Sequence, residues 1–409
     1  MLSFLFDLIA CLFSWVLVQI GCTAKGIKIS DLSLDALSLI DEAFDGVGDI
    51  YDMHTHLVGE GHGGTGCCTH PNVHSLFWHP FYTLQKIIFK NAAGIPHNSR
   101  NVDSDYLQKL VYYTKNFNEL GKGVYRHFLL AMDHWYDDDG CVREDRTGIY
   151  VPNEYMLDVV KKYPEIFHPC VSIHPYREDC VDELEKYAKQ GIRIVKWLPN
   201  SMGIDMSRNI CLPFYKAMKE NNMILLCHVG DEHSVSAGGV VQRYGNPLLL
   251  RYPLNAGVKV IAAHCASEGI STDYDSYIKK KESSFRLFLR LMDTPKYKDL
   301  LFADISSMIL FKRIGEPLTT MLNRSDLHDR LVYGSDYPVP LIGLITRTRS
   351  MVKAGYINEV QRKFLNQIFD YNPLLFDFVI KRIIKSPDHG CKFSPKIFGW
   401  NEKLLGKKN

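Results

Sequence analysis

The feature that most constrains this chain is a repeated alternation between short apolar runs and amphipathic stretches. Helical patterns follow most of the apolar runs, for example over Cys180–Gln190 and Leu212–Glu220. Strands that alternate with helices pair in parallel through right-handed crossovers. The predicted strands lie near Asp49–His56, Val124–Asp133, His168–His174, Ile192–Leu198, Met223–His228, Val258–His264, Leu301–Ser306 and Leu331–Asp336.

This pattern predicts an α/β fold in which the parallel strands close into a (β/α)8 barrel. An open doubly wound sheet is the alternative, but no glycine-rich phosphate loop follows the first strand. The length of 409 residues fits one large barrel that carries insertions. We therefore expect a single barrel with extensions.

The connection after the first strand is too long for a plain βα loop. It covers residues 57–122 and begins with a glycine-rich stretch from Gly59 to Gly66, followed by histidine-bearing and aromatic residues. We expect this insert to act as a lid or a substrate-binding segment on the catalytic face. The predicted organisation is a hydrophobic segment at 1–22, an extension at 23–48, the barrel at 49–385 and a tail at 386–409.

Composition excludes some function classes. Because 48 basic and 46 acidic side chains nearly cancel, nothing indicates a nucleic-acid partner. Hydrophobic residues make up 46% and charged residues 23%, which is ordinary for a globular enzyme. The eleven cysteines show no CxxC spacing, so a structural zinc module is not expected.

The N-terminal segment has a different character. Between Leu2 and Ile20 the only charged residue is Asp7, and Gly21–Cys22 resembles the end of a bacterial lipoprotein signal. The basic start of a secretory signal is missing, although the run is just long enough to cross a bilayer. We expect attachment to the membrane or cell envelope. The alternative is an N-terminal helix packed on the barrel of a cytoplasmic protein.

Polar residues that bind metals stand where several predicted strands end. Side chains two apart in a strand share a face, and catalytic groups gather at the C-terminal rim of a barrel. Each of these residues alone is weak evidence, but together they predict a metal centre. The set consists of His54 and His56 on strand one, Lys196 on strand four, His228 on strand five, His264 on strand six and Asp336 on strand eight.

This set, in this order, resembles the amidohydrolase superfamily, and especially its amidohydrolase-related branch. The resemblance covers roughly Asp49 to Phe378 and is specific for the superfamily rather than for a substrate. It rests on the segments Asp52–His56, Val195–Asn200, His228–Gly230, Ala263–Cys265, Tyr333–Pro338 and the pair Asn372–Pro373.

The resemblance implies that His54, His56 and His228 bind a divalent ion, most readily Zn²⁺. It also implies that Asp336 touches the ion and takes the proton from an attacking water. His264 would orient that water, polarise the substrate oxygen or bind a second ion. Imidazole ligands suit zinc and its neighbours, and a carboxylate beside the water suits a general base.

The role of Lys196 is open. In binuclear members of the superfamily a lysine at this place is carboxylated and bridges two ions. In the amidohydrolase-related branch many sites hold one ion, and an uncarboxylated Lys196 would then contact an anionic or carbonyl substrate. We favour the single ion.

Other residues near strand ends are candidates for the pocket. Arg177 and His174 follow strand three and are candidates for contact with the substrate, with Arg177 suited to a carboxylate or phosphate. The alternative is an ion pair that fixes the loop. Asp304 and His233 would orient metal ligands rather than bind the ion. We expect the histidines of the insert, His62, His70, His74 and His79, to pack in the lid or lie at the surface.

The leading functional hypothesis is hydrolysis of a C–N or C–O bond in a small carbonyl compound such as a lactone, an amide or a cyclic imide. Non-oxidative decarboxylation of a small carboxylic acid on the same metal site is the second. An inactive barrel used as a binding protein is the third. The expected partner is a small molecule and not a nucleic acid, and a homodimer is left open.

Overall fold

The computed structural model describes residues 23–96, 99–343 and 345–408, so the predicted N-terminal segment 1–22 lies outside the described residues. The strands are β1 (Ile50–His56), β2 (Cys68–Thr69), β3 (Tyr125–Leu130), β4 (Ile149–Tyr150), β5 (Phe167–Cys170), β6 (Ile194–Trp197), β7 (Ile224–Cys227), β8 (Lys259–Ala262), β9 (Ile270–Thr272), β10 (Lys281–Ser283), β11 (Leu301–Asp304) and β12 (Leu331–Val332).

Eight of these strands form the barrel, and each overlaps one of the eight predicted strands. Seven lie wholly within their predicted ranges, and β5 begins one residue earlier, at Phe167. Strands β1, β3 and β5 form one parallel sheet, and β6, β7, β8, β11 and β12 form another. Parallel bridges from Val171 to Val195 and from Thr55 to Tyr337 join the two sheets at both seams. The backbone N–H of Met53 also donates to the carbonyl oxygen of Tyr333 at 2.9 Å. The predicted α/β barrel is confirmed.

Helices surround the barrel. They are α1 (Leu34–Phe44), α2 (Pro80–Ala92), α3 (Val102–Asn118), α4 (Asn153–Lys162), α5 (Cys180–Lys189), α6 (Pro199–Met202), α7 (Leu212–Glu220), α8 (Arg251–Asn255), α9 (Ser284–Met292), α10 (Glu316–Asn323), α11 (Thr348–Lys353), α12 (Glu359–Tyr371), α13 (Pro373–Ile383) and α14 (Glu402–Leu405). Among the described residues, no helix is long and apolar enough to cross a membrane.

Local sequence sets where these helices begin. The Ser33 hydroxyl accepts the N–H of Ala36 at 3.2 Å, so α1 begins at Leu34. The Asn372 side chain caps α13 and accepts the N–H of Leu374 at 3.0 Å. Pro373 occupies the first turn of that helix, where its missing N–H is not needed.

The insert between β1 and β3 is ordered around one buried carboxylate. Asp103, at the start of α3, accepts the backbone N–H of Glu60 at 2.7 Å and of Gly61 at 3.2 Å. A Cβ atom at Gly59 would lie 2.2 Å from the Asp103 carboxylate, so this approach requires glycine. The glycine-rich stretch therefore wraps Asp103 and carries Glu60 to the mouth of the barrel.

The predicted tail packs against the N-terminal end of the barrel. The Trp400 ring lies 5.2 Å from the Tyr51 ring, and Leu404 is buried among the side chains inside the barrel. The Lys259 ammonium, at the start of β8, donates to the carbonyl oxygen of Lys403 at 2.7 Å. This end of the barrel is closed by the chain's own C-terminal segment.

Candidate metal centre

The two histidines of β1 reach one point through an irregularity in the strand. The pairing of β1 with β3 shifts between Asp52 and Thr55. Such a bulge re-aims the side chains that follow it. His54 is fully buried, and the side chain of His56 is 22% exposed toward the cavity at the mouth.

Three ligand atoms form a small triangle at the barrel mouth. The Nε2 atoms of His54 and His56 lie 3.2 Å apart. The Oδ1 atom of Asp336 lies 3.5 Å from the first and 3.3 Å from the second. Ligand bonds of about 2.1 Å in a tetrahedral site put neighbouring ligand atoms about 3.4 Å apart. The residues present therefore fit a divalent ion.

A buried carboxylate orients the His54 ring so that its Nε2 atom faces this triangle. The Nδ1 atom of His54 lies 2.9 Å from Oδ2 of Asp304, and a carboxylate can only accept, so Nδ1–H is the donor. The pKa of Asp304 lies below its ordinary value because His54 and His264 outweigh burial, which by itself raises it. The predicted orienting role of Asp304 corresponds to this contact.

Asp336 is held as a carboxylate. Burial raises its pKa, but His264, His56 and His54 together lower it well below the ordinary value. The Ser307 hydroxyl donates to its Oδ2 atom. Burial lowers the pKa of His56 to about 4, so this imidazole is neutral at pH 7 and its nitrogen is available to a metal.

His264 lies on a strained backbone at the end of β8. His264, Cys265 and Ala266 all have positive φ values, of 56°, 51° and 48°. Three consecutive left-handed residues that are not glycine persist only where the surroundings fix them. The backbone N–H of His264 donates to Asp304 at 2.9 Å, and its Nδ1 lies 2.7 Å from the Ser306 hydroxyl. One carboxylate thus orients both His54 and His264.

The structure also brings His264 close to the triangle. Ligand atoms of His54, His264 and Asp336 all lie within 4.8 Å of one another. The His54 and His264 rings stack with their centroids 4.9 Å apart. Four of the six predicted residues at strand ends therefore share one buried cluster, which consists of His54, His56, His264 and Asp336.

Lys196 completes the floor of the cavity. Its Nζ atom lies 3.0 Å from Nε2 of His54, and the side chain is 1% exposed. Burial lowers the pKa of Lys196 from its ordinary value. A buried amine of this kind suits either a neutral, reactive form or a cation paired with a substrate anion.

His228 lies beside the cluster but faces another way. Its Nε2 atom is 3.3 Å from the carbonyl oxygen of Asp231 and 3.5 Å from the Glu232 carboxylate. Its ring centroid is 5.2 Å from that of His264. Burial lowers its pKa to about 4. The structure thus places His228 in the same cavity wall, with its ring nitrogen bonded within its own loop.

The structure does not bring Arg177 and His174 to this cavity. Arg177 pairs with Asp179 at 2.7 Å and with Asp133 at 3.3 Å. Nε2 of His174 lies 2.9 Å from the carbonyl oxygen of Met202, and Nδ1 accepts the N–H of Tyr176 at 3.1 Å. Both ring nitrogens are used, and the contacts of both residues fix the loop after β5.

A cation that sequence reasoning missed does line the cavity. Arg313 follows β11, is 7% exposed and lies near Glu268, with 3.3 Å between its Nε and the carboxylate. That Nε atom makes no hydrogen bond within the protein. No local motif marks Arg313, since it lies nine residues after Asp304 in an irregular stretch. His233, the other predicted orienting residue, lines the outer wall and is 57% exposed.

Comparison with known proteins finds only distant likenesses. No known protein family and no curated protein matches the sequence. Solved structures that resemble the chain include an uncharacterised TIM-barrel protein from Bordetella bronchiseptica, at 15% identity and a TM-score of 0.46, covering 81% of this chain and 99% of that one.

Two enzymes are also among the similar structures. One is a variant of 5-carboxyvanillate decarboxylase from Novosphingobium aromaticivorans with bound manganese, at 10% identity and a TM-score of 0.48, covering 88% of this chain and 97% of that one. The other is 4-oxalomesaconate hydratase from Rhodopseudomonas palustris, at 15% identity and a TM-score of 0.37, covering 81% and 96%. The barrel itself is evident from the strand pairing of this chain, independently of these likenesses.

Proposed function

We propose that this chain is a metal-dependent hydrolase of the amidohydrolase type, which cleaves a C–N or C–O bond in a small carbonyl compound. The observation that carries the proposal is the triangle of His54, His56 and Asp336, whose three edges measure 3.2, 3.5 and 3.3 Å. Two imidazoles and one carboxylate at this spacing suit a divalent ion with an open position. Zn²⁺ is the first candidate, and manganese, iron and cobalt accept the same ligands.

His54, His56 and Asp336 would hold the ion, and His228 would join them by turning its ring from Asp231. When bound, such an ion supplies Lewis-acid activation of a water molecule and of the substrate carbonyl. The Asp336 carboxylate is placed to accept the proton of the attacking water. Its Oδ2 atom already accepts the Ser307 hydroxyl, which keeps the carboxylate in orientation.

His264 is suited to orient the attacking water by accepting one of its O–H groups, or to bind a second ion. The Ser306 hydroxyl donates to Asp304, so Nδ1–H of His264 donates to Ser306 and Nε2 keeps a lone pair. Among the basic residues that line the cavity, Lys196 and Arg313 are the buried ones. We assign to Arg313 the anion-binding role that the sequence suggested for Arg177.

The reaction is tested with Asp336→Asn and a matched control, Asp133→Asn. Both carboxylates are buried near strand ends, but Asp133 contacts Arg177 outside the cavity. With zinc-loaded protein and a panel of lactones, amides and cyclic imides, we expect turnover that Asp336→Asn abolishes and Asp133→Asn retains. Inertness of the wild type toward the whole panel would contradict hydrolysis.

One or two ions can be held here, and Lys196 decides the number. A single ion leaves the Lys196 amine free for the substrate, whereas a carboxylated Lys196 would bridge two. We favour one ion. Metal content close to one per chain in both the wild type and Lys196→Ala would support this, while two ions that fall to one or none would establish the bridge.

Decarboxylation is the second candidate, and the two buried cations, Lys196 and Arg313, favour it. Both line the same cavity as the triangle and could hold the carboxylate that leaves. Release of carbon dioxide from small aromatic acids without hydrolysis of the neutral panel would select this reaction.

We also propose attachment to the cell envelope through residues 1–22, on the strength of their apolar composition. Fractionation of cells that express the full chain is the test. Recovery in the membrane fraction supports the proposal, and recovery wholly in the soluble fraction overturns it.

A further inference from the structure

The cavity above the metal centre has a volume of about 350 Å³, which is far more than a water molecule and a carbonyl group need. Pockets of roughly 300–1,000 Å³ hold complete small molecules. The floor is formed by residues at the strand ends. The remaining walls therefore decide what the rest of the substrate must be.

The insert contributes an apolar wall to this cavity. Helix α2 and the segments that flank it present apolar side chains to the interior, while Leu57 and Val58 follow β1. The apolar residues of the insert that line the cavity include Val73, Phe89, Ala93, Ile95 and Val102. A wall of this kind gains free energy only when an apolar group covers it.

Three polar side chains of the insert and the opposite loop are already paired within the protein. Lys86 lies 3.0 Å from the Glu60 carboxylate, and Gln85 donates to the carbonyl oxygen of His233 at 3.0 Å. Glu232 accepts the N–H of Val235 at 2.8 Å. Because these three side chains are held by the protein, we expect the rest of the substrate to contact mainly the apolar part of the wall.

We infer that the substrate is amphiphilic, with a carbonyl or carboxylate head at the metal centre and a hydrocarbon chain or ring against the insert. This inference rests on the proposed function for the identity of the head group. The binding of the apolar part rests only on the cavity wall. The insert is then the element that selects the substrate class.

The first test uses straight-chain carboxylates, from butyrate to decanoate, as probes. Their binding to the zinc-loaded full chain is measured by isothermal titration calorimetry. We expect affinity to rise about fourfold with each added methylene, until the wall is covered and the series levels off. An affinity that does not change with chain length would overturn the inference.

Two variants locate the chain on the insert. Ala93 is 1% exposed and lines the cavity, so Ala93→Leu should cost octanoate about tenfold in affinity by filling space while leaving butyrate unchanged. Phe89→Ala should lower octanoate affinity by about tenfold through lost contact. Phe81→Ala is the matched control, since Phe81 is on the same helix but 69% exposed and outside the cavity.

The outcomes separate the inference from the proposed function. A chain-length series that neither Ala93→Leu nor Phe89→Ala alters would place the probe elsewhere and overturn the inference. If Ala93→Leu fails to fold, Phe89→Ala decides. If long carboxylates bind as expected but no lactone or amide of matching length turns over, hydrolysis fails and the apolar subsite stands.

Discussion

The N-terminal end of the barrel is closed by aromatic and aliphatic side chains, whereas the C-terminal end holds buried polar groups around a cavity. At the first end, Trp400 packs near Tyr51, Phe128 and His168. At the second, five residues that are not glycine have positive φ: His264, Cys265, Ala266, Ser307 and Asp336. Among the described residues, only two others outside glycine share this conformation, Asn222 and Lys279.

The difference indicates that the N-terminal end of the barrel contributes to stability, whereas the C-terminal end carries the candidate reactive groups. Apolar burial at the N-terminal end stabilises the fold, while strained backbone and paired polar groups at the other end cost stability. Substitutions at the two ends should therefore separate into those that affect unfolding and those that affect activity. The predictions below test that separation, from the largest effect to the smallest.

Asp336→Asn should have the largest effect. Loss of the carboxylate removes both a metal ligand and the proposed proton acceptor, so we expect kcat/KM to fall by about 10³-fold or more. The free energy of unfolding of the metal-free protein should change little. Activity assays and urea unfolding check the two parts, and a stable variant with full activity would contradict the assignment.

Trp400→Ala should lower the free energy of unfolding and leave activity nearly unchanged. Removing the indole opens a cavity against Tyr51 and Phe128, and we expect a loss of about 3 kcal/mol in the free energy of unfolding. Because the mouth is at the other end of the barrel, kcat should stay within about twofold under conditions where the protein is folded. Trp78→Ala, at a side chain that is 76% exposed, is the control and should leave stability unchanged. A fall in kcat without a fall in stability would break the comparison.

Asp304→Asn should produce an intermediate effect through its two histidine contacts. It weakens the acceptor for Nδ1–H of His54 and for the N–H of His264. Partners of this kind typically contribute 10- to 100-fold, so we expect zinc affinity to fall by about that factor. Titration with a competing chelator measures it. Unchanged zinc affinity would remove Asp304 from the positioning role.

The smallest effect concerns acid stability at the N-terminal end. Burial lowers the pKa of His168 to about 4 in the folded protein, against about 6.5 when unfolded. The unfolded state therefore binds the proton more strongly, and stability is lost as pH falls from about 6.5 toward 4. We expect His168→Gln to remove about 1 kcal/mol of the difference in stability between pH 7 and pH 5.

The control for this prediction is His389→Gln, since the His389 side chain is 68% exposed. Denaturant unfolding at the two pH values compares the three proteins. An unaltered pH dependence in His168→Gln would show that this histidine is not held neutral by its surroundings.

Sequence patterns were sufficient to predict the barrel because each strand is a local apolar run and each ligand candidate stands at the end of one. His54, His56, His264 and Asp336 converge because parallel strands end at a common rim. Their convergence could be predicted without knowing how the loops fold. The insert was predicted as a lid from its length, but not its helices or its apolar wall.

Other features depend on contacts distant in sequence. Arg313 reaches the cavity from an irregular stretch, and the loop of Asp231 turns His228 away from the triangle. Trp400 acts as a plug only because the chain returns to β1 and β3 across more than two hundred residues. Local sequence periodicity does not predict such long-range contacts, because they are set by tertiary packing.

The most direct test of the central claim is metal content per chain. Wild type and His56→Ala are incubated with zinc and freed of excess by gel filtration, with His233→Ala as a control at the outer wall. We predict about one ion or more in wild type and His233→Ala, and none retained in His56→Ala. A wild type that retains no ion, or a His56→Ala protein that retains as much as wild type, would contradict the account.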